Sequence, residues 1–166
     1  MARLDIGKGL DTVIKAYQET GKKITPIMKQ AVYPAAGYLA KKITAALQAL
    51  PTVDGEDGKP PYAPPGVQLR SISSVQKKDL LNGFGISPFE NKNGYVNVKL
   101  GFDGYGSYPT KNWPNGIPNP LLIRSLCKGT KFLKKNDFIS KLVRQETKNV
   151  EDMIDQKFNE ILEKEL

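Results

Sequence analysis

The sequence predicts an α+β fold: a mostly antiparallel sheet packed against a long N-terminal helix and a C-terminal helix, with long loops between them. Three observations carry the prediction. Both ends of the chain place apolar residues at the three-and-four spacing of amphipathic helices, residues 95 to 102 alternate strictly, and Pro/Gly-rich segments separate the two kinds of pattern. A chain of 166 residues fits one domain and can bury a core without metal or disulfide staples.

Ile6, Leu10, Val13, Ile14 and Tyr17 form a first helical stripe, and Gly21 divides it from a second running from Ile24 through Met28, Val32, Leu39 and Ile43 to Leu50. Thr25-Pro26 reads as an N-cap followed by Pro at the first helical position, which starts the second helix there. Pro34 removes a backbone donor and crowds the preceding turn, predicting a kink or break near Tyr33. Behind it Ala35, Ala36, Gly37 and Ala40 leave room for another backbone, from within the fold or from a second subunit.

Leu50-Pro51 ends that helix. Residues 51 to 67, PTVDGEDGKPPYAPPGV, hold five Pro and three Gly and carry net negative charge. Such a stretch buries too little apolar surface to offset its ordering entropy, which predicts a mobile loop. Asp54, Glu56 and Asp57 supply its charge, and Tyr62, set between two Pro pairs, is the side chain best suited to anchor it on a partner.

The middle reads as strands. Leu69 to Val75 is rich in Ser and β-branched residues, Gly83 to Ile86 is a short apolar piece, and Asn91 to Gly94 is a hairpin turn. In Tyr95 to Phe102, Val96, Val98, Leu100 and Phe102 share one face, leaving Tyr95, Asn97, Lys99 and Gly101 on the other. Asp103 to Pro120 is a second loop, and a short helix follows from Asn119-Pro120 to about Cys127, stopped at Gly129. Asp137 then caps a final helix burying Phe138, Leu142, Val143, Val150, Ile154, Phe158 and Leu162, with an acidic outer side at Glu151, Asp152, Asp155 and Glu163.

Charge is uneven along the chain. Residues 68 to 145 carry thirteen basic and four acidic side chains, while 146 to 166 carry three and seven. The central excess would attract phosphate or an acidic protein surface, although a solvated Lys-rich surface accounts for the same composition.

The chain has no histidine, which excludes Ser-His, Cys-His and His-metal chemistry. Cys127 has no second cysteine to pair with and reads as a core-edge thiol. The run Cys127 to Lys131 lacks the G-x-x-x-x-G-K-[ST] pattern of a phosphate loop, and acidic pairs such as Glu151-Asp152 lie on a helix face rather than in a cleft. The expectation is a non-enzymatic protein with no catalytic, cofactor-binding or metal-binding residues. With no signal pattern and no apolar run of about 20 residues, it is expected to be made in the cytoplasm and to stay out of membranes.

The order helix, loop, G-x-x-L-R-S-I, strands, Gly-Thr turn and Phe-led helix resembles the tail-completion, or head-tail joining, proteins of tailed bacteriophages. The matching positions are Leu69, Ser71, Ile72, Gly129, Thr130 and Phe138. The chain departs from that pattern at Cys127 and Lys128, where an acidic residue and an aromatic are usual, and at Asp137, where Pro is usual. The resemblance implies a virion protein of the neck or tail, such as a tail terminator: a homo-oligomer, as a hexameric ring, contacting the tail tube protein and a head connector or head-completion protein. DNA would pass through the ring with transient, non-specific contact, making Arg70, Lys77, Lys92 and Lys99 candidates for the lumen. The same residues leave two other readings open, a head-completion or minor tail component and a basic nucleic-acid-binding module without enzymatic activity.

Overall fold

The structure, a computed structural model, describes residues 24–92 and 95–165. The elements run α1 (Ile24–Gln48), a 3-10 turn (Glu56–Gly58), α2 (Ser74–Gly83), β1 (Phe84–Ile86), β2 (Glu90–Lys92), β3 (Tyr95–Asn97), β4 (Leu100–Phe102), α3 (Asn119–Lys128) and α4 (Phe138–Glu165). This is an α+β fold in which the strands form two short ribbons, β1 with β4 and β2 with β3. The chain divides into two units. Among the described residues, one takes 24–41, Ile86–Leu100 and 143–165; the other takes Lys42–Gly85 and Gly101–Leu142.

The first unit builds on the apolar stripes of the two long helices. Ile27, Met28, Ala31, Val32, Ala35, Ala36 and Leu39 of α1 are buried, as are Val150, Ile154 and Phe158 of α4, spaced by four as one helix face requires. Burial of such side chains contributes about 1.5–3 kcal/mol each against exposure. The ribbon β2–β3 is antiparallel, with Glu90 opposite Asn97 and Lys92 opposite Tyr95. The Phe89 amide donates to the Tyr33 hydroxyl at 2.8 Å and the Asn91 amide to Thr25 Oγ1 at 2.9 Å, which fasten the ribbon to α1. Tyr38 donates to Glu146 at 2.6 Å, tying α1 to α4.

The second unit has its own core. Leu47, Leu50, Ile72, Leu80, Leu122, Leu126 and Leu133 form it, with Leu69, Phe102, Ile117 and Phe138 partly buried against it. Its helix α2 opens with a full capping box, Ser73 accepting from the Gln76 amide while the Gln76 side chain accepts from the Ser73 amide.

Several expectations change. The stripe from Ile6 to Tyr17 and its Gly21 break lie outside the described residues, as do Asn93 and Gly94 of the hairpin turn. Thr25 is not a cap, because α1 already includes Ile24, and Pro34 sits inside α1 without ending it. Gly37 does not mark a close approach among the described residues, none of which lies within 4 Å of where its side chain would begin. Leu69 to Val75 is not a strand: Leu69 makes one isolated parallel bridge to Leu133, and the chain turns into a helix at Ser74. The capping box outcompetes β propensity here, because it satisfies amide donors that an isolated strand would leave open. Tyr95 to Phe102 is two strands interrupted at Val98 and Lys99.

Candidate interaction surfaces

The loop 51–67 is footed on α2. Asp54 Oδ1 accepts from the Ser74 amide at 2.6 Å, adding a second cap to that helix, and the Val53 amide donates to the Ile72 carbonyl at 3.0 Å. The Gly55 amide donates to Lys59 at 2.7 Å and the Lys59 amide to Glu56 at 3.0 Å, closing the acidic tip. Asp57 adopts the left-handed region at φ 53° and lies 3.8 Å from Lys59. Beyond this footing Tyr62 stands 83% exposed.

Residues 103–118 form a closed arm rather than an open loop. Tyr105 bridges Pro118, the Gly106 amide donates to Ile117 at 2.8 Å, and the Trp113 and Thr110 backbones bond reciprocally at 2.9 and 3.1 Å. Gly116, at φ 92°, packs against Gly106 so closely that any side chain would run into the Gly106 carbonyl. The arm is held at its base by two side chains. Asp79 accepts from the Ser107 amide and hydroxyl at 2.8 and 3.1 Å, and buried Asn119 donates to the Asp79 and Asp103 carbonyls at 3.2 and 2.8 Å. It presents Tyr105, Tyr108 and Trp113 to solvent, with the Lys59 ammonium 5.5 Å from the Tyr108 ring.

The residues that carry the family resemblance converge. The Leu69 amide donates to the Phe132 carbonyl and the Lys134 amide to the Leu69 carbonyl, at 2.8 and 2.9 Å, so the strand-like residue threads the turn after α3. Gly129 ends α3 at φ 78°, and Thr130 Oγ1 accepts from the Phe132 and Leu133 amides at 3.1 and 3.0 Å. Gln68 donates to the Thr130 carbonyl at 2.6 Å. Ser71 and Ile72 are buried, whereas Phe138 is only partly buried against the same core, less deeply than its position at the head of α4 predicts.

The four lysine and arginine candidates for a lumen are placed differently. Lys77 donates to the carbonyls of Gln48 and Leu50, both at 2.8 Å, and is spent on the C-terminal end of α1. Lys92 and Lys99 flank Glu90 at 3.8 and 3.9 Å on the ribbon of the other unit. Arg70 alone of the four stands exposed beside the Leu69 bridge without a carboxylate partner among the described residues. Sequence reasoning missed the denser cation group that Arg70 adjoins, Lys128, Lys131, Lys134 and Lys135, all exposed. Its signal was the acid-free run from Leu121 to Asn136.

Cys127 is half-buried, and its thiol is pushed above the ordinary range, first by burial and then by the Asp137 carboxylate. Among the described residues no group of three or more Cys, Asp or Glu could hold a metal ion, and no helix is long and apolar enough to cross a membrane. No family model, curated protein or solved structure matches the chain.

Proposed function

We propose that the protein is a structural subunit of a phage neck or tail, assembling as a closed ring, six copies by the resemblance, that completes the tail and joins it to the head connector. The observation that carries this reading is the pair of aromatic-tipped segments, 51–67 and 103–118, both footed on α2, the first by Asp54 capping its Ser74 amide and the second by Asp79, to whose carbonyl buried Asn119 also donates. Exposed tyrosine and tryptophan are what a protein interface uses, because they give large contact area at low rotamer cost. Short two-stranded ribbons, with outer edges unpaired among the described residues, add to it, since a closed ring can cover edges that would otherwise invite open-ended pairing. In this reading the partners are further copies of the chain, the tail tube protein and a head connector or head-completion protein, and DNA passes through the lumen. Leu69 pairs with Phe132 and Lys134 and Gln68 bonds the Thr130 carbonyl, so the segment after the loop lies beside the Gly-Thr turn, and the ring itself rests on the resemblance.

A basic nucleic-acid-binding module is the second reading, favoured by the acid-free cation run around Gly129. Sedimentation of the native protein separates the two. A closed oligomer weakened by Tyr62→Ala and Trp113→Ala supports virion assembly; a monomer that binds nucleic acid tightly supports the module.

A further inference from the structure

We infer that the turn after α3 is a preformed contact surface for the phosphate backbone of duplex DNA, built from Arg70, Lys128, Lys131, Lys134 and Lys135 around the Phe132 ring. The identity of the partner rests on the reading above, in which DNA traverses the assembly.

The geometry begins with the Leu69–Leu133 bridge. Leu133 is buried and Leu69 packs on the core, while their chain neighbours Arg70, Phe132 and Lys134 are exposed around the bridge. Phe132 is 53% exposed there, and the Lys131 ammonium lies 4.9 Å from its ring centre, an arrangement that holds a cation at the surface without neutralising it. The backbone beneath is fixed on every side. Thr130 closes the turn by hydrogen bonds from Phe132 and Leu133, the Asn136 amide donates to Leu126 at 2.8 Å, and Gly129 packs on Lys135, where a side chain would meet its Cβ at 2.9 Å and its backbone at 3.1 Å.

Charge completes the argument. None of the five cations lies within 4 Å of a carboxylate among the described residues, in contrast to Lys59, Lys92, Lys99 and Lys157, which all do. Unpaired cations on a rigid turn pay little ordering entropy on meeting phosphates, and release of counterions from the polyanion supplies the binding energy. No element inserts a helix or ribbon here for reading base edges, so the contact is independent of sequence.

The test measures fluorescence anisotropy of a labelled random-sequence duplex against the full chain across a salt series. Parent protein is compared with the triple variant Arg70→Gln, Lys131→Gln, Lys134→Gln and with a control of equal charge loss, Lys41→Gln, Lys148→Gln, Lys164→Gln. Circular dichroism verifies folding, and sedimentation sets a concentration at which all three share one assembly state. The expected result is a salt slope smaller by about two to three in the turn variant and an affinity lower by roughly tenfold or more, with the control near the parent. Equal loss in both variants would mean a diffuse field and overturn the site. So would a parent that does not bind duplex DNA at low salt, or a turn variant that binds like the parent. If such a variant also loses assembly, the turn is a protein contact. Ring formation is read separately by sedimentation, so failure of the DNA site leaves the assembly reading standing, and the reverse.

Discussion

The Lys77 ammonium lies 2.8 Å from the Leu50 carbonyl oxygen, and the Gln48 carbonyl is equally close. A cation from α2 thereby satisfies two carbonyls that the end of α1 leaves without helical partners, where the helix dipole is negative. Lys77→Met keeps the aliphatic stem and removes the charge, so it should lower stability by about 1–2 kcal/mol, read by chemical denaturation. DNA affinity should change little, which separates Lys77 from the turn cations.

Asp54 and Ser73 cap the same helix from different directions. Asp54→Ala should cost about 1 kcal/mol, and the Asp54→Ala, Ser73→Ala double variant should be less than additive or more than additive rather than strictly additive, because both side chains serve one helix end. A double-mutant cycle in urea checks this. Amide exchange offers a second view: Val53, Gly55 and Lys59 are hydrogen-bonded and should exchange slowly, leaving the mobility expected from composition to residues 60–66.

Asn119 holds the arm by donating to two carbonyls from a fully buried position. Asn119→Ala strands both acceptors and should cost about 2–4 kcal/mol in thermal or urea unfolding. Asn119→Asp should be worse at neutral pH, since it points a carboxylate at the same two carbonyl oxygens.

Phe158 and Phe138 test depth along α4. Phe158 is 1% exposed and Phe158→Ala should cost about 3–5 kcal/mol, whereas Phe138, only partly buried, should cost clearly less. Equal losses would place both at the same depth and contradict the packing described.

Cys127 should react slowly with thiol reagents at neutral pH in the folded protein and quickly in denaturant, because burial and Asp137 disfavour its thiolate. The raised value also fixes a sign. The unfolded thiol ionises before the folded one, so this contribution is fully present below the ordinary thiol range and is lost as pH climbs above it toward the folded value. Cys127→Ser should flatten that alkaline loss in a pH series of urea melts.

Much of the fold was legible because its signals are local. The stripes of α1 and α4, the stop at Gly129 and the short strand at Phe84 follow from periodicity and backbone chemistry that need no tertiary context. The helix at Ser74 was legible too, in the spacing of Ser73 and Gln76, but the β-branched residues around it pointed the other way. The arm at 103–118 was not. Its order depends on Asp79 meeting backbone 28 residues on and Asn119 meeting backbone 40 residues back, and on Gly116 lying on Gly106, a contact that leaves no periodicity in the sequence. The same holds for the lysines: composition located the positive charge, but only the structure separates Lys77, bonded to carbonyls, from Lys131, exposed over the Phe132 ring with no carboxylate within 4 Å among the described residues.

Ring assembly is the claim on which the functional reading stands, and native mass spectrometry of the purified chain measures it directly. The account predicts a discrete closed species at six times the 18.4 kDa subunit mass, reduced toward monomer by Tyr62→Ala with Trp113→Ala while the fold is retained. A monomer at every concentration, or an open ladder of sizes without a closed species, would contradict it.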